Sequence, residues 1–264
     1  MIEYCQNEKN ICKLPDCYET VKMKSLLLAY GTNTDFLCFW VQKNGEKTVS
    51  ALMRFCDVLT VWCDSKNINE DNISELRPFA DFLNLQIFAK TDLFEFFSKN
   101  VASSCVCMEF TGTGIFAEST ELSYQQIYNS LADSDNKSIK LPEFRDWYVD
   151  FNHRVRHKTA RYFSRNGHSV AVTGYETENF AIITGVTTDK KHRNSGLAKQ
   201  NVLGLCYDLC QENRKVLLLC FDDMISFYEN LGFRVTDRLT SAAPVSLNTH
   251  SVNNRRLHNN EQVF

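Results

Sequence analysis

The chain has 264 residues, 44% of them apolar and 23% charged, with 29 basic against 32 acidic side chains and a formal net charge of −3. Such a composition suits a globular chain long enough for two domains. It argues against nucleic acid as a partner, and no apolar run approaches the ~20 residues of a membrane-spanning helix.

The first residues have neither the basic start nor the apolar core of a secretion signal. Eleven cysteines lie mostly inside apolar runs, with no Cys-x-x-Cys pair. A reducing, cytoplasmic setting and no metal site are therefore expected. Charge is uneven: residues 1–120 carry 11 basic and 16 acidic side chains, and residues 121–264 carry 18 and 16. This suggests two units, the second of which handles an anionic ligand.

The first half opens with a predicted helix over Tyr18 to Tyr30, carrying Val21, Leu26, Leu27 and Leu28. Strands follow over Asp35 to Gln42 and Thr48 to Trp62, the second interrupted near Cys56-Asp57. Asn44-Gly45 between them is a hairpin signal. Asp71 or Asn72 could cap a helix through Leu76, Phe79, Ala80, Phe82 and Leu83. Gln86 to Phe88 and Cys105 to Phe110 read as strands, and the Thr-, Ser- and Gly-rich run Gly112 to Glu121 as a linker.

Leu122 to Leu131 and Leu141 to His157 are amphipathic, the second with Pro142 at its start, where a helix tolerates proline best. A meander follows over Thr159 to Ser164, Ser169 to Tyr175 and the run from Phe180 to Thr188. Lys190-Lys191-His192-Arg193-Asn194-Ser195-Gly196 breaks that pattern with charge and turn residues. A helical period then begins at Leu197, with Ala198, Val202, Leu205, Cys206 and Leu209 on one face. Val216 to Phe221 is a short apolar strand, and Phe233 to Leu239 would close the sheet. The polar residues from Asn248 are expected to form a loose tail.

A glycine at a helix entrance, preceded by basic residues, lets unpaired N–H groups and the positive end of the helix dipole approach a phosphate. The same loop could also be an ordinary solvated strand-to-helix turn. Its residues Arg193-Asn194-Ser195-Gly196-Leu197-Ala198 match the [Arg/Gln]-x-x-Gly-x-[Gly/Ala] loop of the GNAT acyltransferase superfamily. Phe227-Tyr228-Glu229-Asn230-Leu231-Gly232-Phe233 is similar to that family's Phe-Tyr-x-x-Leu-Gly-Phe segment. The resemblance spans roughly residues 122–245. It implies an α/β fold with a mixed sheet, that of the acyl-CoA N-acyltransferases.

The expected organisation is a GNAT-like lobe over 1–115 lacking the phosphate loop, a catalytic GNAT domain over 122–245 and a tail over 246–264. The resemblance implies an acetyl-CoA-dependent N-acetyltransferase acting on an amine, as a monomer or homodimer. An acyl-CoA-binding module without catalysis is the rival reading. Arg193, Asn194, Ser195, Gly196, Leu197 and Ala198 would hold the pyrophosphate, and the edge of Val186, Thr187 and Thr188 the pantetheine arm. Tyr228 would be the general acid, although an aromatic on a helix also serves as core. Gly185 would mark a bulge or a close packing contact.

Two features depart from the family pattern. Phe221 stands where relatives often have asparagine, and the strand Phe180 to Thr188 has no glutamate to act as base. Glu176, Glu178 and Asp189 flank that strand and read as solvated turn charges. None of His153, His157, His168 and His192 is singled out by spacing. No base is assigned.

Overall fold

The computed structural model describes residues 1–97, 101–133 and 141–243. Its first elements are β1 (Ile2–Tyr4), α1 (Lys9–Cys12), α2 (Tyr18–Tyr30), β2 (Leu37–Asn44), β3 (Lys47–Phe55), β4 (Val58–Cys63), α3 (Glu70–Leu83), β5 (Gln86–Lys90), α4 (Phe94–Phe97) and β6 (Val101–Phe110). After these come α5 (Tyr124–Ala132), α6 (Phe144–Arg156), β7 (Arg161–Phe163), β8 (Ser169–Glu176) and β9 (Phe180–Thr188). The last are α7 (Leu197–Gln211), β10 (Lys215–Cys220), α8 (Ile225–Glu229) and β11 (Phe233–Ala242). Residues beyond 243, including the expected tail, lie outside the described part.

The residues group into two units. One holds Met1–Leu14, Thr32–Ser104 and the described chain from Arg238; the other holds Pro15–Gly31 and Cys105–Asp237. A single linear boundary near residue 115 would place α2 in the first unit. It groups with the second because it packs on β8 and β9 there. Val21, Met23 and Leu26 are fully buried, while Leu28 turns outward. The Glu176 N–H donates to Ser25 Oγ at 3.0 Å.

In the first unit the strand order is β1-β2-β3-β4-β5, followed by the last residues of β11. The β1–β4 pairings are antiparallel, whereas β4 and β5 run parallel with α3 as the crossover. A parallel neighbour requires such a crossover, since a two-residue turn cannot bring the chain back. The hairpin loop is Gly45-Glu46, with Gly45 at φ +60°. Leu59, Val61, Leu76, Ala80, Ile87, Leu93 and Phe97 form this unit's core.

The second unit repeats the pattern. Its order is β6-β10-β9-β8-β7, with antiparallel β7, β8 and β9, then α7 crossing over to a parallel β10. The predicted face of α7 is the buried one: Val202, Leu205, Cys206 and Leu209 are fully covered. Each such apolar side chain contributes about 2 kcal/mol by leaving water. They join Val106, Met108, Phe163, Ile183, Val216 and Phe233 in one core. A second cluster under α5 and α6 contains Ile127, Trp147, Phe151 and Val172.

Some boundaries differ from the sequence reading. α3 is capped by Asn69, whose side chain accepts the Asn72 N–H at 2.9 Å, so the cap lies upstream of Asp71 and Asn72. α6 begins at Phe144, leaving Pro142 just ahead of the helix. Among the described residues no helix is long and apolar enough to cross a membrane.

Candidate functional site

The site begins with an interruption of the sheet in the second unit. Parallel pairing between β9 and β10 runs from Phe180 opposite Lys215 to Ile183 opposite Leu218 and stops there. β9 continues to Thr188, its other edge still paired to β8 as far as Ser169 opposite Thr188. Among the described residues the edge of Val186 to Thr188 that faces away from β8 has no partner strand.

A local irregularity sits at the same level. Between β8 and β9 the register shifts around Thr173, leaving Thr184 and Gly174 without regular partners. The bulge expected at Gly185 is thus displaced onto its neighbour. Gly185 itself answers to close packing: a Cβ there would come within 2.9 Å of both Leu131 Cδ2 and Val172 Cγ2.

Beyond β9 the chain makes a short 3-10 turn over Lys190–His192 and enters α7 through Gly196. Gly196 has φ +79°, a left-handed conformation that favours glycine, and the space where a Cβ would stand is open. Among the described residues no side chain caps this helix. The backbone N–H groups of Asn194 to Lys199 donate to no acceptor among the described residues. Open backbone donors at the positive end of a 15-residue helix are the features an anion site requires.

The equivalent place in the first unit is closed. There the Asn69 side chain takes the Asn72 N–H, and Asn72 Oδ1 takes the Asn69 N–H at 3.2 Å. The space beside that crossover is a void of about 10 Å³ lined by Cys63, Ile68, Leu76, Leu93 and Phe97. It is too small for a cofactor and borderline for a single water.

Beside α7 the second unit opens a cavity of about 550 Å³. Of the residues singled out from sequence, Val186, Thr187, Thr188, Arg193, Asn194, Gly196, Leu197, Ala198 and Tyr228 line it. Ser195 does not: its hydroxyl donates to the His192 carbonyl and pins the loop. The Arg193 Nε donates to the Thr188 carbonyl at 3.3 Å, which ties the loop back to the strand end.

His192, Lys199, Met224 and Phe227 complete the lining and were not singled out. Phe227 belongs to the Phe-Tyr segment quoted above, and Met224 could have been found by its helical spacing from Tyr228. His192 and Lys199 carry no pattern of their own.

Tyr228 is 8% exposed, packed edge-on against Phe233 at 5.7 Å between ring centroids. Burial raises the phenol's pKa well above its ordinary value, and the neighbouring Cys220 thiol adds to the shift. Tyr228 lines the cavity, and its hydroxyl has no hydrogen-bond partner among the described residues. Burial pushes Cys220 itself up to about 11. Phe221 is half-buried and is not part of the cavity lining.

Among the described residues no Asp or Glu lines the cavity. Among the flanking carboxylates only Glu178 is the expected solvated turn charge. Glu176 is 1% exposed and held by Arg161 at 2.9 Å, by Arg214 and by the Thr173 hydroxyl. Two guanidinium groups offset the cost of burying it, as a buried carboxylate requires. Asp189 is half-buried between His168 and His192.

Residues 163–241 match the family model described as FR47-like protein. No curated protein matches the chain in sequence. Among solved structures, a GCN5-related N-acetyltransferase from Sphaerobacter thermophilus aligns with TM-score 0.61 at 10% identity, covering 89% of this chain and 87% of that one. A tandem GNAT protein from the clavulanic acid biosynthesis pathway aligns with TM-score 0.57 at 13% identity, covering 91% and 97%. A GNAT-family acetyltransferase from Colwellia psychrerythraea gives 0.55 at 11% identity, covering 92% and 99%. The chain therefore has the α/β fold of the GNAT acyl-CoA N-acyltransferases, with a GNAT-like lobe before a second half that carries the FR47-like match.

Proposed function

We propose that this chain is an acyl-CoA-dependent N-acyltransferase that moves an acetyl group from acetyl-CoA to an amine. The observation that carries the reading is the 550 Å³ cavity, lined by the open entrance of a helix, a strand edge without a partner strand and Tyr228. A coenzyme with a pyrophosphate, an amide-bearing arm and a thioester needs those three features.

In this reading the pyrophosphate sits on the N–H groups of Asn194 to Ala198, with charge from Arg193 and Lys199. The pantetheine arm pairs with Val186 to Thr188. The amine nitrogen attacks the thioester carbonyl carbon, the C–N bond forms and the C–S bond breaks. The departing sulfur takes a proton from Tyr228, and the amine gives its own proton to solvent. Holding both reactants in one cleft supplies most of the acceleration.

Calorimetric titration with acetyl-CoA tests the reading. Micromolar binding to the native chain, lost in Gly196→Glu, supports it; absence of binding ends it. The Phe221 substitution and the lack of a carboxylate in the cavity favour one second reading, a module that binds acyl-CoA without catalysis. Binding without turnover across a panel of amines, unaltered by Tyr228→Phe, would select that reading. The chain is taken to act in the cytoplasm, as a monomer or homodimer, without nucleic acid or membrane.

A further inference from the structure

Three ionisable side chains that the proposed reaction leaves unused meet in the second unit. Lys22 comes from α2, Arg154 from α6 and Tyr175 from β8. Lys22 is 8% exposed and the Arg154 side chain 12%. The Lys22 amine lies 5.5 Å from the Tyr175 ring centroid, and the Arg154 guanidinium carbon lies 5.7 Å from it. One aromatic ring thus serves two cations.

Gathering like charges away from water is costly. Burial and the Arg154 charge together lower the Lys22 pKa to about 8. Arg154 is held through both terminal nitrogens: Nη1 donates to the Gly174 carbonyl at 2.6 Å and Nη2 to Asp150 Oδ2. Asp150 also accepts the Tyr30 hydroxyl at 2.5 Å. The Arg154 Nε, however, is buried with no hydrogen-bond partner among the described residues. A buried donor left open is costly, and one on a charged group more so.

The cation pair is tied to the strands that carry the cavity. Gly174 belongs to the irregular stretch of β8, and a Cβ there would stand 2.6 Å from Thr184 Cγ2 on β9. Thr184 leads through Gly185 to the Val186–Thr188 edge. α6 and α7 cover opposite faces of β8, since Val172 packs in the cluster under α6 and Ala171 in the core with α7. A molecule approaching the strand edge from the face across from α7 would therefore meet Arg154 and Lys22.

The geometry points to an anchor for a small carboxylate, which would accept from the Arg154 Nε and from the Lys22 ammonium. A carboxylate suits two donors on separate side chains because its two oxygens accept from different directions. Resting on the acyl-transfer reading, this assigns the acceptor class: amines that also carry a carboxylate, such as amino acids.

The test uses the full chain at pH 7, below the Lys22 value of about 8. Its melting temperature is followed in sodium propionate and in propylamine hydrochloride, each against sodium chloride of equal ionic strength. A ligand that binds only the folded state raises the melting temperature. Propionate should raise it, propylamine should not, and the rise should vanish in Lys22→Met, a variant that loses a buried charge and keeps its fold. A rise that persists in Lys22→Met, or none in the native chain, overturns the anchor. Turnover with acetyl-CoA then checks the acceptor class. Lys22→Met should raise KM for β-alanine about tenfold or more and leave KM for propylamine unchanged. Equal effects on the two amines would overturn that assignment. Acetyl-CoA binding without the propionate effect sinks the anchor alone, whereas the propionate effect without acetyl-CoA binding keeps the anchor and sinks the acyl-transfer reading.

Discussion

Tyr228 and Lys22 are both buried ionisable side chains, and burial drives each toward its uncharged form. For Tyr228 this keeps the proton in place beyond the ordinary phenol value of 10.0. Replacing it by phenylalanine should lower kcat about 100-fold with little change in KM for acetyl-CoA, since only proton donation is lost. The native pH–rate profile should also lack a falling limb from this residue up to about pH 10. Steady-state kinetics over that range would check both.

Lys22 is brought down to about 8 by burial, with the Arg154 guanidinium adding repulsion. Its amine lies 5.5 Å from the Tyr175 ring centroid. The folded pKa is below the ordinary 10.5, so between those values the unfolded chain binds more protons and stability rises with pH. Below pH 8 the full penalty is present. Lys22→Met should therefore raise the melting temperature at pH 7 and flatten its rise between pH 8 and 10, which scanning calorimetry would detect.

Among the elements, the two crossover helices invite a paired experiment. α3 is closed by the Asn69 side chain, whereas α7 is entered through a left-handed glycine with its donors open. Asn69→Ala should cost about 1 kcal/mol of stability and leave acetyl-CoA binding unchanged. Gly196→Glu should do the reverse, abolishing binding in calorimetry with a smaller loss of stability.

This contrast also marks what could be read from the residues. Arg193 to Ala198 announces an uncapped helix entrance because glycine, basic charge and the following helical period are all local features. The Asn69 cap lies two or three residues upstream of the expected one, since Asp71 and Asn72 are equally good capping types. Glu176 departs from the expected solvated turn charge for a different reason. Its partners Arg161 and Arg214 are 15 and 38 residues away, and only the folded sheet brings them to it. The stacking of His168 on His192 is likewise a product of register, as is the shift of the bulge from Gly185 to Thr184.

At the level of the whole molecule, one unit opens a cavity beside its crossover helix, and the other leaves only a small void there, lined by Leu93 and Phe97 among others. Titration should thus give one acetyl-CoA per chain, and Gly196→Glu should give none. Two equivalents, or one surviving in the variant, would mean that the first unit binds the coenzyme. Acid should also weaken the second unit. Hydrogen bonding to Arg161 holds Glu212 below its ordinary 4.5, so its contribution is present above that value and lost as pH falls through the depressed one.

The placement of α2 has a practical corollary for dissection of the chain. A fragment starting at Cys105 would carry every residue of the cavity yet leave the β8–β9 surface that Val21, Met23 and Leu26 cover open to water. Its expected fate is aggregation, and the smallest autonomous version is a permuted polypeptide that rejoins Pro15–Gly31 to the later segment. The same arrangement would constrain inheritance: recombination between two such genes at the midpoint would separate a helix from the sheet it shields.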